Sequence, residues 1–197
     1  MLSSVREEKR AVLITERTAP AMTTVRFIRQ PTAEETAIER LLSAADEAFV
    51  PPLTDDARAT VSRPGDRPGP TSIEEYVAAC LDRPLLGAFD EERLVGFASL
   101  EPRTNGGPLA DYTPATHVSV LVVDEAYRDE GIATRFYNYL LDTPPTELPQ
   151  SAISTKTWQT NRAHISILES LGFDCVHRVE DDRKPGVDTV YYARRLP

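Results

Sequence analysis

The sequence predicts a mixed α/β domain whose sheet is mostly antiparallel and flanked by helices. Three observations carry this. Segments of period two alternate with segments of period near 3.6, in the order β-α-α-β-β-β-α-β-α-β-β, with no internal repeat. Two pairs of strand-like segments are joined by short turns at 90–92 and 184–186, as in hairpins. Two amphipathic segments each follow directly on a strand, as helices packed on a sheet do.

Each element has a local reason. Val25 and Phe27 alternate with polar residues in a first strand, and Pro31-Thr32 opens a helix with Ala37, Ile38, Leu41, Leu42 and Ala45 on one face. Val50 to Pro70, rich in Pro, Gly and charge, is expected to be a mobile loop. Thr71 and Ser72 each stand three residues before a glutamate, a capping-box pattern that starts a short helix to about Leu81. PLLGAF and RLVGFASL flank Asp90-Glu91-Glu92 as a hairpin, and a loop from Glu101 to Thr116 leads to the central strand HVSVLVV. Ile132, Phe136 and Leu140 then recur every four residues until Pro144 and Pro145 close that helix. SAISTKTW is β-branched enough for a strand, and Thr160 to Leu171 is helical until Gly172 stops it. CVHRV and TVYYA form the last hairpin, with Tyr191 and Tyr192 on opposite faces.

Composition narrows the function. A 41% hydrophobic content supports a globular chain, expected to be cytoplasmic: no apolar run nears the ~20 residues of a membrane span, and the N-terminal AVLI is too short for a secretory signal. Residues 1–22 show no period and are expected to be a disordered tail, or an upstream extension before a start at Met22, with the domain at 23–197. A net charge of −9 argues against a nucleic-acid groove. Lys9, Lys156 and Lys184 are the only lysines, and so acidic, lysine-poor a surface resembles proteins of salt-accumulating microbes. Cys80 and Cys175 lack metal-ligand spacing and are expected to be buried thiols. No metal is expected.

The most informative stretch is VVDEAYRDEGIAT, residues 122–134, where a strand hands over to a helix. The first N–H groups of a helix have no intrahelical partner, and the helix dipole favours anions there. Gly131 and Ala133 keep that approach open. No GxGxxG or GxxxxGK[ST] occurs, so dinucleotide-fold and P-loop alternatives fall away.

Arg128-x-x-Gly131-x-Ala133 after a strand, with Asn161 and then Leu171-Gly172-Phe173 on the next helix, resembles the GNAT family of N-acetyltransferases over roughly residues 24–197. The resemblance implies the GNAT-like acyl-CoA N-acyltransferase fold, acetyl-CoA as co-substrate and an amine-bearing acceptor. It implies that the backbone of Arg128, Asp129, Glu130, Gly131, Ile132, Ala133 and Thr134 cradles the pyrophosphate. Val122 and Val123 would bond the pantetheine arm, and a backbone amide near Val123 would polarise the thioester carbonyl. Asn161 would contact the cofactor, a role compatible with its capping a helix. Asp129 and Glu130 depart from the family's basic surroundings and would repel phosphate unless salt screens them.

For the chemistry, a histidine of pKa ~6.5 can accept the amine's proton. His117 in the central strand is the first candidate, placed by alternation on one face with Ser119 and Leu121. Related aralkylamine acetyltransferases carry histidines at what look like the positions of His117 and Ser119. Glu101, after its strand, is the second candidate. Asp124 and Glu125 are expected at the surface. The tyrosine that often protonates the leaving thiolate in this family is replaced by Leu168, and neighbouring His164 and Ser166 are expected to point elsewhere on the helix. Trp158 is expected in the core or lining the cleft. In the last hairpin, Glu180, Asp181, Asp182 and Asp188 either draw a cationic substrate or form a solvated acidic surface. The expectation is direct acetyl transfer to a primary amine in a ternary complex; the alternative is a non-catalytic acyl-CoA-binding module. No nucleic-acid or membrane partner is expected, and the oligomeric state is open, a homodimer included.

Overall fold

The computed structural model describes residues 23–57, 61, 69–104 and 107–197; the N-terminal segment 1–22 and most of the expected loop at 58–68 lie outside the described residues. Seven strands form one sheet: β1 (Thr24–Ile28), β2 (Leu85–Asp90), β3 (Arg93–Arg103), β4 (Ala115–Val123), β5 (Ala152–Trp158), β6 (Asp174–Lys184) and β7 (Val187–Arg195). Their spatial order is β1-β2-β3-β4-β5-β7-β6, and every pair is antiparallel except β4–β5. Helices α1 (Glu35–Ala45) and α2 (Ile73–Leu81) cover one face, and α3 (Ile132–Asp142) and α4 (Arg162–Ser170) the other.

The sequence order of elements holds throughout. On one face, Ile38, Leu41 and Leu42 of α1 meet Leu85, Phe89, Phe97 and Val122. On the other, Ile132, Phe136 and Leu140 of α3 meet Val95, Ala98, Leu100 and Val118. Each such buried Val, Leu, Ile or Phe side chain contributes about 1.5–3 kcal/mol through the hydrophobic effect. Ser72 caps α2 by accepting from the Glu75 amide at 3.2 Å, and Glu75 reaches back to the Thr71 amide at 2.8 Å. Gly172 (φ +72°) ends α4: the Phe173 amide bonds the Leu168 carbonyl and the Gly172 amide that of Glu169, each at 3.0 Å. That is the Schellman pattern, and Phe173 and Leu168 share the core.

Four differences matter. β3 runs to Arg103, paired with Ala115, so Glu101 lies within the strand opposite His117 rather than after it. β4 carries a bulge: Ser99 pairs with Val120 and Leu100 with Val118, leaving Ser119 as the extra residue. The bulge turns Leu121 and Val123 to the α3/α4 face with Val118, so Leu121 does not share a face with His117 as alternation predicted. Cys80 is buried as expected, but Cys175, on the edge strand β6, is exposed. Tyr191 and Tyr192 do face opposite ways, and both are buried.

Among the described residues, no helix is long and apolar enough to cross a membrane, and no group of His, Cys, Asp or Glu gathers to hold a metal ion.

Candidate active site

Parallel strands β4 and β5 pair through Thr116–Val118 against Ile153–Thr155. Beyond that short ladder the strands part, and a cleft of about 370 Å³ opens between them, walled by 118–123 on one side and 155–158 on the other. The cleft passes through the sheet, so it has an end on each face.

At the α3/α4 end lie Arg128, Ala133, Asn161, Ala163, His164 and Ile167. Gly131 is the N-cap of α3, in the left-handed conformation at φ 75° and ψ 15°, and it has no side chain to cap the helix. A Cβ there would meet nothing within 4 Å, so glycine is required by its backbone angle and not by crowding. The amides of Ile132, Ala133 and Thr134 are the orphan donors of the first turn. Ile132's side chain is core, at 2% exposure, so only its backbone faces a ligand. Asp129, itself at φ 63°, and Glu130 precede the cap and are not among the cleft-lining residues. Asn161 caps α4: its Oδ1 accepts from the His164 amide at 3.3 Å, and its Nδ2 donates to Thr157 Oγ1 at 3.1 Å. Val122 and Val123 line the β4 wall.

The predicted proton acceptors sit differently. His117 is 1% exposed, with Nδ1 2.9 Å from Ser154 Oγ, and lies outside the cleft lining. Burial first, then the nearby charges of Arg103, Lys156 and Arg83, push its pKa well below the usual histidine value. Glu101 is held by two guanidinium groups: Oε2 is 2.7 Å from Arg83 Nη1 and Oε1 2.7 Å from Arg103 Nη2. Arg83 also donates to Ser119, the bulge residue, at 3.3 Å. Asp124 is less exposed than a turn residue suggests and anchors Arg40 at 2.8 Å and Arg93 at 3.1 Å. Burial works against its charge, but the hydrogen bonds from Arg40 and the Ala126 amide outweigh it and hold the carboxyl below its ordinary value.

Leu168 is fully buried in the core. His164, one turn earlier on α4, does line the cleft, contrary to its expected direction. Its Nε2 is 2.8 Å from the hydroxyl of Tyr137 on α3, and burial lowers its pKa to about 4. Burial likewise drives the Tyr137 phenol above its ordinary range. At neutral pH both groups are uncharged.

At the other end of the cleft are Phe49, just after α1, together with Lys156, Trp158 and Arg183. Phe49 and Trp158 have ring centroids 5.8 Å apart. Phe49 and Arg183 were not foreseen; they come from segments far from β5 in sequence.

The sheet thus opens between two parallel strands, with an uncapped helix N-terminus at one end of the opening. The acetyltransferase (GNAT) family model matches residues 50–173, and the chain belongs to that family. Its fold is shared with yncA of Salmonella typhimurium, solved with its cofactor acetyl-CoA (TM-score 0.59, 17% identity, 89% of this chain and 94% of that one). It is shared also with the ribosomal-protein-alanine N-acetyltransferase of Brucella melitensis (TM-score 0.61, 16% identity, 88% and 99%). A third is Arabidopsis thaliana NAA60 in complex with a bisubstrate analogue (TM-score 0.61, 17% identity, 88% and 98%). No curated protein matches the chain.

Proposed function

We propose that this chain transfers the acetyl group of acetyl-CoA to an amine by direct attack within a ternary complex. The observation that carries this is the cleft between β4 and β5, which ends at the bare N-terminus of α3. The residues present fit the co-substrate: orphan amides and Arg128 for the pyrophosphate, Asn161 beside them, and the β4 edge at Val122–Val123 for an extended arm. Acetyl-CoA supplies an activated thioester carbonyl. The amine nitrogen bonds that carbon, the C–S bond breaks, the sulfur leaves as thiolate, and the ammonium proton passes to solvent. An N–H of the β4 edge near Val123 would polarise the carbonyl. The bisubstrate analogue bound to NAA60 supports holding both partners at once.

In this scheme His117 and Glu101, which lie outside the cleft lining, brace β3 and β4 behind it and take no proton. His117 is sealed against Ser154, and Glu101 is saturated by Arg83 and Arg103. With Leu168 in place of a tyrosine, the thiolate departs unprotonated, which a thiol of pKa ~8.5 tolerates.

The same features keep one rival alive, an acyl-CoA-binding module that does no chemistry. Thiol release from acetyl-CoA, followed with a thiol reagent over a panel of amines, separates the two. Intersecting initial-rate lines are expected. Parallel lines would replace direct attack by an acetyl-enzyme, and bound acetyl-CoA with no amine-dependent release would leave the binding module.

A further inference from the structure

The wall that α4 turns to the cleft is made by Asn161, Ala163, His164 and Ile167. Two of these are apolar, and Asn161 is committed within the protein. Its Oδ1 accepts from the His164 amide at 3.3 Å, and its Nδ2 donates to Thr157 Oγ1 at 3.1 Å. On the facing strand β5, the Thr155 hydroxyl donates to the Val118 carbonyl at 3.0 Å. His164 is different. Its Nε2 meets the Tyr137 hydroxyl at 2.8 Å, while among the described residues nothing bonds its Nδ1. Nor is Nδ1 one of the side-chain atoms buried without a partner. It is an open ring nitrogen on a half-buried side chain that lines the cleft.

Tyr137 decides what that nitrogen can do. The tyrosine is fully buried on α3, its ring centroid 5.3 Å from that of Phe173, so its proton has no water to go to. A buried hydroxyl without an acceptor is costly. Thr155 lies beside the phenol and offsets part of the effect of burial on its pKa. An imidazole nitrogen is the stronger acceptor, and Nε2 is the one in hydrogen-bond geometry. A neutral imidazole carries one N–H, so when Nε2 accepts, the hydrogen sits on Nδ1. Burial keeps the ring neutral down to about pH 4.

Resting on the acetyl-transfer scheme above, the structure assigns to His164 a hydrogen bond to the arm of acetyl-CoA: Nδ1–H donates to an amide carbonyl of the arm, and Tyr137 is the positioning residue that keeps the hydrogen on Nδ1. The acceptor is an amide carbonyl and not the sulfur because of where α4 stands. The thioester carbon must lie between the strands, within reach of an amine entering from the opposite face. Helix α4 packs outside the sheet, against the core of that face. What passes His164 is therefore the stretch between pyrophosphate and thioester, whose polar groups are amides.

Two substitutions separate the two ring nitrogens. The Nδ2 of asparagine stands as far along the side chain as Nδ1 of histidine, and the Nε2 of glutamine as far as Nε2. His164→Asn keeps a donor toward the cleft, whereas His164→Gln keeps a partner for Tyr137 and loses that donor. Calorimetry on the full chain follows CoA, desulfo-CoA and the nucleotide half of CoA alone, which keeps the pyrophosphate and has no arm. His164→Gln should weaken CoA and desulfo-CoA alike by about three- to tenfold, the worth of one neutral hydrogen bond. It should leave the armless nucleotide unchanged, and His164→Asn should bind all three as the wild type does. Imidazole nitrogen shifts of histidine-labelled protein report the tautomer without any ligand. They should show His164 as the Nδ1–H form in the wild type, moving toward Nε2–H, the form free histidine prefers, in Tyr137→Phe.

An Nε2–H ring in the wild type overturns the proposal. So does a loss shared by all three ligands, which would be a distorted α3 end. A loss on CoA that desulfo-CoA escapes would be a sulfur contact and overturns it too, as does His164→Gln binding like the wild type. A wild type that binds no CoA brings down the transfer scheme itself, while the tautomer still judges the Tyr137–His164 pair on its own.

Discussion

Glu101→Gln decides whether Glu101 is a strut or a base. The change removes one charge from between two guanidinium groups and keeps the side chain's shape. Both carboxylate oxygens lie 2.7 Å from an arginine, and the Arg83, Glu101 and Arg103 side chains are 36%, 17% and 15% exposed. Removing one partner of a fully buried pair costs about 3–5 kcal/mol, and of an exposed one about 0–1 kcal/mol. The partial exposure here places the cost near 2 kcal/mol, discounted for solvent screening. For a chain of this length that lowers Tm by about 4–8 °C. The assay is thermal unfolding beside kcat for the best amine at saturating acetyl-CoA. A strut loses stability and keeps kcat within a few-fold. A general base loses about 10²–10⁴ in kcat. An unchanged Tm together with a hundredfold loss of kcat would refute the assignment.

His164 (about 4 in the fold) and His117 (well below its usual value) bind protons more readily unfolded, near pH 6.5, so the stability they contribute is present above pH 6.5 and lost as pH falls toward 4. Urea unfolding between pH 6.5 and 4.5 should show His164→Asn flattening the slope by about 1.4 kcal/mol per pH unit; an unaltered slope contradicts the buried neutral imidazole. Gly87→Ala puts a Cβ 2.6 Å from Phe89 Cε2 and 2.9 Å from Leu94 Cδ1. Overpacking of that kind costs about 1–3 kcal/mol, read as a lower urea midpoint, and a midpoint that rises would show the neighbours give way freely. Asp129→Asn with Glu130→Gln should tighten acetyl-CoA about two- to fivefold at low salt by calorimetry. That gain should vanish in molar KCl; an equal gain at both salts would point to a conformational cause.

Local signals made most of the fold legible. Ser72 and Glu75 mark the start of α2, Gly172 the end of α4, and Ile132, Phe136 and Leu140 the buried stripe of α3, because each rests on neighbours in the chain. The bulge at Ser119 has no such signal. It is created by how β4 registers against Ser99 and Leu100, and its effect, Leu121 on the opposite face from His117, is invisible to simple alternation. The end of the cleft at the N-terminus of α3 was legible as Arg128, Gly131, Ala133 and Asn161, since a strand-to-helix junction is local. The opposite end was not: Phe49 and Arg183 reach Trp158 only through tertiary packing. One signal was available there. Alternation along β5 already places Lys156, one of three lysines, on the same face as Trp158. The direction of His164 escaped because the rotation of α4 is set by Ile165 and Leu168 entering the core.

Thermal unfolding of the full chain with and without acetyl-CoA, at low and at molar KCl, tests the acetyl-CoA cleft most directly. At ~100 times its dissociation constant the ligand should stabilise the fold by about 2.7 kcal/mol, a rise of roughly 5–11 °C for a chain of this size. A cooperative transition that acetyl-CoA leaves in place at both salts would mean that the cleft between β4 and β5 holds no acetyl-CoA, and that the chain keeps the family's fold without its co-substrate.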